Sequence, residues 1–263
     1  MRLTLTGITW EHERGYDCVV AASRRYEREH PGIELSWTKR SLQAFADAPL
    51  ERLAAEADLL VIDHPHVPLA ARAGLLARLD GAGFDDELAV LAAQSVGRSH
   101  ESYAHDGHQY GLATDAAAQV AVHRPDLIAE PPREWDAVLE LAAQGRVLWP
   151  AKPIDAFSSL VTVAGSQGAV PAAESGVFLA EEELAAALAV LHRLTELVPE
   201  ECLGWNPIQA AEALAASDRH AYVPLAFGYT NYARAGYRAH RLRYTDVPAG
   251  PAGTSMYFSR WAR

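Results

Sequence analysis

With 263 residues, 49% of them hydrophobic, the chain can bury a core large enough for one big domain or two lobes. Its 34 acidic residues against 23 basic ones leave a formal charge of −11, which repels phosphate backbones and anionic lipid and argues against a nucleic-acid partner. Cys18 and Cys202 stand far apart and outside any CxxC pair, which argues against a disulfide framework or a thiolate metal site, and no apolar run reaches the ~20 residues of a membrane span.

The opening "RLTLTGI" places Leu3, Leu5 and Ile8 roughly in alternation and predicts a strand. Tyr16, Val19, Val20, Ser23 and Tyr26 then recur at helical spacing, and "GIELSW" alternates Ile33, Leu35 and Trp37 as a second strand. Pro49 precedes a short helix carrying Leu50, Leu53 and Ala57, and "DLLVID" reads as a third strand buried on both faces. Pro68 suits the first turn of another helix, closed by Gly74. This β-α-β-α-β-α order is that of an open parallel sheet. The N-terminus lacks the apolar core and cleavage site of a secretory signal, so the sequence as it stands predicts retention in the cytoplasm.

Near residue 100 the rhythm changes. His105 and His108 flank Asp106-Gly107, a hairpin turn signal between extended pieces. "QVAVHRPDLI" is extended and stopped by Pro125, "PPREWDAVLELAAQG" is a helix with Pro at its start and Gly at its end, and "RVLW" is a short strand. A helix over 181–198 buries Leu184, Ala187, Leu188, Leu191, Leu194 and Val198. Another begins with Asn206 as N-cap and Pro207 at its first position, and "HAYVPLAF" is a strand leading into the aromatic loop "GYTNYARAGY". The second half therefore carries its own sheet and helices, which favours two lobes.

Ligands of open α/β sheets sit beyond the carboxyl ends of the strands, so "TWEHERGYD", "TKRS" and "DHPHV" should face one crevice. They offer Trp10, Glu11, His12, Arg14, Lys39, Arg40, Asp63, His64 and His66. In an extended segment His64 and His66 would share a face, as ligands of a metal-dependent hydrolase require; a helix cap and a packed rim residue are the other roles open to them. The sequence contains no GxSxG, Walker A or GxGxxG motif. Glu11, Asp63 and Asp115 suit a two-carboxylate glycosidase, and equally a protein that binds sugar hydroxyls without chemistry.

Four segments, in order, carry a resemblance to the extracellular solute-binding proteins of ABC importers, in the family that includes carbohydrate binders. They are "RRYEREHPGIELSW", "ADLLVIDHPHVPLAARAGLLARLD", "YGLATDAAAQVAVHRPDLI" and "PPREWDAVLELA". The resemblance implies an α/β, two-lobe periplasmic-binding-protein-like (type II) fold, each lobe a mainly parallel sheet flanked by helices. Lobe one would span 1–113, with 245–263 returning to it, and lobe two 114–244. It further implies closure around a small solute with no cofactor and no catalytic step, a permease partner, a monomeric state and a periplasmic or cell-surface location.

Carried over residue by residue, Trp10, Asp63 and His64 would face the cleft, Asp115 would lie at the crossing, and Tyr229, Asn231 and Tyr232 would reach in from lobe two, with Ser158 behind them. Family membership favours a sugar; Arg14, Lys39 and Arg40 beside His64 and His66 also suit a small organic acid. Two departures from the family stand out, the missing signal and an ending, "TSMYFSRWAR", unlike the usual Gly-rich return, so that the chain looks truncated. A cytoplasmic relative that senses a metabolite is the alternative these departures leave open.

Overall fold

A computed structural model of the chain describes residues 2–41, 49–169 and 178–254. It divides into two compact units, residues 1–116 and 117–263.

In the first unit, β1 (Leu3–Trp10) pairs in parallel along its whole length with β2 (Ile33–Arg40) and briefly with β3 (Leu59–Leu60), giving the sheet order β2-β1-β3. Helix α1 (Glu13–Glu29) makes the first crossover and α2 (Leu50–Glu56) the second. Backbone bonds from Asp58 to Thr6 and from Val61 to Ile8 extend the third strand's alignment on either side of β3. The Asp58 carboxylate fixes that register by accepting from the Thr6 amide and hydroxyl at 2.8 and 3.0 Å. The expectation that this strand is buried on both faces fails, because Leu59 is 38% exposed. It borders a three-stranded sheet, and both faces of a strand are covered only where helices lie on each side.

Helix α3 (Val67–Arg72) has proline in its first turn and is closed by Gly74 at φ +68°, and α4 (Asp85–Gln94) follows. The hairpin β4 (Ala104–His105) and β5 (His108–Gln109) turns on Asp106-Gly107, with φ of 49° and 77°, the left-handed pair a tight turn demands. Asp80 anchors it by accepting from His108 Nδ1, the Gln109 amide and Arg78 Nη2 at 2.7–3.0 Å, which holds its carboxyl well below the usual range.

In the second unit β6 (Gln119–His123) is central, between β7 (Tyr222–Phe227) and β8 (Arg243–Thr245). Both pairings are antiparallel, unlike the mainly parallel sheet expected there. In this unit, parallel contact among the described residues is confined to the bridges Val147 to Tyr222 and Glu134 to Ala249.

Around this sheet pack α5 (Trp135–Ala143), α6 (Pro153–Ser166), α7 (Glu181–Leu197) and α8 (Pro207–Ala216). Asn206 caps α8 as its sequence predicts, exchanging bonds of 2.9 and 3.0 Å with Gln209. On α7, Ala187, Leu191 and Leu194 are buried whereas Leu188 stays exposed. Of the segment 245–263, Ala249 bridges Glu134 and Ala252 donates to the Ser166 carbonyl, both within the second unit, and residues 255–263 lie outside the described residues.

Candidate functional site

The first turn of α1 is built by its own loop. His12 is the N-cap, its Nδ1 accepting from the Arg14 amide at 3.1 Å, and Thr9 Oγ1 donates to the Gly15 carbonyl at 3.1 Å. The Trp10 ring lies against Gly15 so closely that a Cβ there would sit 2.5 Å from it, which is why glycine occupies the position. A cation such as Arg14 in a helix's first turn opposes the helix dipole. Asp115 compensates: its Oδ2 accepts from Arg14 Nη2 at 2.5 Å across 101 positions of sequence.

Asp63 stands at the end of the third strand, just before a 3-10 turn, His64–His66. In that turn residues two apart are about 120° apart around the axis. His64 and His66 therefore do not share a face as an extended segment would have allowed, and the geometry assumed for a metal pair is overturned. Among the described residues no group of three or more His, Cys, Asp or Glu side chains is placed to hold a metal ion.

Tyr103, which the sequence reading missed, closes this corner by donating to the Ile62 carbonyl at 3.0 Å. Burial, then the nearby Asp63 and Asp115 charges, push its hydroxyl up to about 12. Asp63 still meets solvent, yet the surrounding protein strips enough water from it to raise its carboxyl; His66 and His64 oppose the shift and Asp115 adds to it. Burial lowers His64, with Asp63 partly offsetting, which favours the neutral imidazole. Trp10, Arg14, Asp63, His64, Tyr103 and Asp115 thus belong to one unit, and the last five are tied together by hydrogen bonds and mutual charge. No local signal marks Tyr103; only its contact with residue 62 does.

The remaining basic candidates are engaged elsewhere. Lys39 Nζ lies 4.8 Å from the centre of the Tyr16 ring. Arg40 pairs in register with Trp10, and partial burial lowers its guanidinium while Glu56 nearby raises it. Glu11 is exposed at the strand end, its amide bonded to the Arg40 carbonyl.

In the second unit the aromatic loop folds inward. Tyr229 is buried, its carbonyl accepting from the Tyr244 hydroxyl at 2.7 Å, while Asn231 and Tyr232 are 3% and 1% exposed. The Tyr232 hydroxyl donates to Glu212 Oε1 at 2.6 Å, and Glu212 also pairs with Arg238, which lies over the Tyr237 ring at 4.2 Å. Ser158 is buried and donates to the Ile154 carbonyl at 3.0 Å. The aromatic surface this unit does present lies elsewhere, at Phe157 and Phe178, whose rings stack at 5.8 Å beside exposed Ile154.

No family model matches the sequence, and no curated protein matches it. Solved structures do match. A maltose-bound MalE3 of T. maritima superposes with a TM-score of 0.78 at 16% identity, over 96% of this chain and 69% of that one. The GacH receptor of Streptomyces glaucescens, solved unliganded and with acarbose, gives 0.77 at 15% identity, over 97% and 69%. An ABC transporter solute-binding protein of Agrobacterium radiobacter K84, in complex with ribitol, gives 0.76 at 15% identity, over 96% and 68%. The fold is that of the two-lobe, periplasmic-binding-protein-like solute receptors.

Proposed function

We propose that this protein is a solute receptor of the ABC-importer type, which binds a small neutral polyhydroxylated molecule, a sugar or polyol, and performs no chemistry on it. The observation that carries this reading is the strand-end group of the first unit. There no described residue donates to the Asp63 carboxylate, and Asp115 lies close enough to add to its shift while pairing, among the described residues, with Arg14. Carboxylates accept from sugar hydroxyls, and Trp10 stands half-buried at the same strand end.

The same group argues against the organic-acid ligand. Arg14 is paired with Asp115, Lys39 lies over the Tyr16 ring and Arg40 has Glu56 nearby, so a carboxylate ligand would find these cations already engaged and would meet the charge of Asp63. Glu11, Arg14, Asp63, His64 and Asp115 are the proposed polar contacts of lobe one. In lobe two Tyr229, Asn231 and Tyr232 are buried and set the shape of the aromatic loop. The neighbours bind maltose, acarbose and ribitol, which fits this class of ligand. The proposal extends to a permease partner and to work outside the cytoplasm; no described helix is long and apolar enough to cross a membrane.

Titration calorimetry of the purified chain against a panel of sugars, polyols and small organic acids tests this. Binding of a neutral member is expected, with Asp63→Asn and Asp115→Asn each weakening it by roughly tenfold or more, the effect of losing a hydrogen bond to a charged group. At a hundredfold excess over Kd that ligand should stabilise the protein by about 2.7 kcal/mol. Binding confined to the acids, or unaffected by either substitution, would overturn the assignment.

A further inference from the structure

Helix α6 buries a polar seam beside its apolar core positions. Asp155, Ser158, Ser159, Thr162 and Ser166 are buried together with Val161, Val163 and Ala164, while Ile154 and Phe157 are exposed. A polar seam inside a domain must satisfy its own hydrogen bonds, since each buried polar group left alone costs about 1–3 kcal/mol.

Most of the seam does so. Ser158 and Ser166 donate to carbonyls of their own helix, at Ile154 and Val163. Ser159 Oγ accepts from Gln119 Nε2 and from Trp149 Nε1, both at 3.1 Å, which uses its two lone pairs and leaves only its own proton to give. Gln119 Oε1 and Thr162 Oγ1 have no partner among the described residues, and both residues are 1% exposed. Reversing the Gln119 amide does not help, because it puts an NH2 group where the orphaned oxygen was.

Both residues neighbour Ser159. Gln119 is hydrogen-bonded to Ser159, and Thr162 lies three positions on from Ser159 on the same helix face, a spacing of about 5–6 Å between Cβ atoms. We infer that the second unit holds an internal water molecule between Gln119, Ser159 and Thr162. It donates to the Gln119 side-chain carbonyl and to the Thr162 hydroxyl oxygen and accepts the Ser159 proton, the roughly three bonds typical of buried water. Gln119 is the first residue of β6, shortly after the chain enters this unit at Ala117, so the water pins the start of the central strand to α6.

The test uses thermal unfolding of the full chain. Thr162→Val keeps the shape and removes one partner of the water, and should lower Tm by about 2–4 °C, the scale of 1 kcal/mol for a protein of this size. Gln119→Met should lower Tm as well, and the double variant should lose little beyond the larger single effect, since both remove the same guest. A crystal structure of the unaltered protein should show ordered density ~2.7–3.1 Å from both side chains. The inference is overturned if Thr162→Val raises Tm or leaves it unchanged, as deleting a truly unpartnered hydroxyl would, or if the two losses simply add. It is equally overturned if the crystal structure shows no such density, or shows Thr162 bonded to a carbonyl of its own helix.

Discussion

The first unit gathers its core around Ile8, Leu50, Leu53 and Ala70 and keeps its charged strand-end residues near solvent. The second encloses Val138, Leu148, Leu194, Leu214, Tyr222 and Leu225 completely and sinks polar groups among them. Arg124 shows this best. It is 0% exposed, its Nε and Nη2 grip the Asp126 carboxylate at 2.8 and 2.7 Å, Nη2 reaches Asp218, and Nη1 takes the Ser217 and Leu214 carbonyls at the end of α8. Similar residue types thus do different work: an arginine–aspartate pair near solvent in one unit steadies the first turn of α1, and in the other it splices a strand to a helix terminus.

The sharpest break of that contrast is Arg124→Met. It leaves the α8 carbonyls without their donor and should cost about 3–5 kcal/mol, roughly 10 °C in Tm, whereas Arg14→Met should cost under about 1 kcal/mol because its pair is partly solvated. Thermal unfolding of the two variants side by side measures the difference.

Next in size are Leu148→Ala and Leu53→Ala, each about 2–5 kcal/mol. Amide exchange should locate them: the first should speed exchange in β6 and β7, the second in β1 and β2, and in the unaltered protein β1 and β2 should already exchange faster. Uniform acceleration in either variant would show that the units unfold as one.

The smallest effect concerns Asp155. Burial pushes its carboxyl up from 3.8 to about 6, against the pull of Lys152. The folded state therefore holds this proton more tightly than the unfolded chain, so its stabilising contribution is full below pH 3.8 and is lost as pH rises through about 6. Asp155→Asn should be about 1–2 kcal/mol more stable than the parent at pH 8 and indistinguishable at pH 4, read from melting curves at the two values.

The sequence by itself determined what depends on neighbours along the chain. The β-α order of the first eighty residues follows from hydrophobic period, the Asn206 cap and the Gly74 stop from local backbone demand, and the Asp106-Gly107 hairpin from the need for positive φ. Trp10 and Asp63 were legible as site candidates because strand ends can be found from the same periods, whereas Asp115 came only from the resemblance and its charge. Tertiary structure alone decided the rest. Whether Tyr232 faces solute or Glu212 depends on a partner 20 positions away, and Arg14 finds Asp115 across 101 and Arg124 finds Asp218 across 94. Whether two histidines share a face depends on where a strand gives way to a turn, and the direction of β7 and β8 beside β6 shows only in the folded sheet. Period and propensity act over a few residues, whereas these choices are made by packing between segments that meet only when the chain has folded.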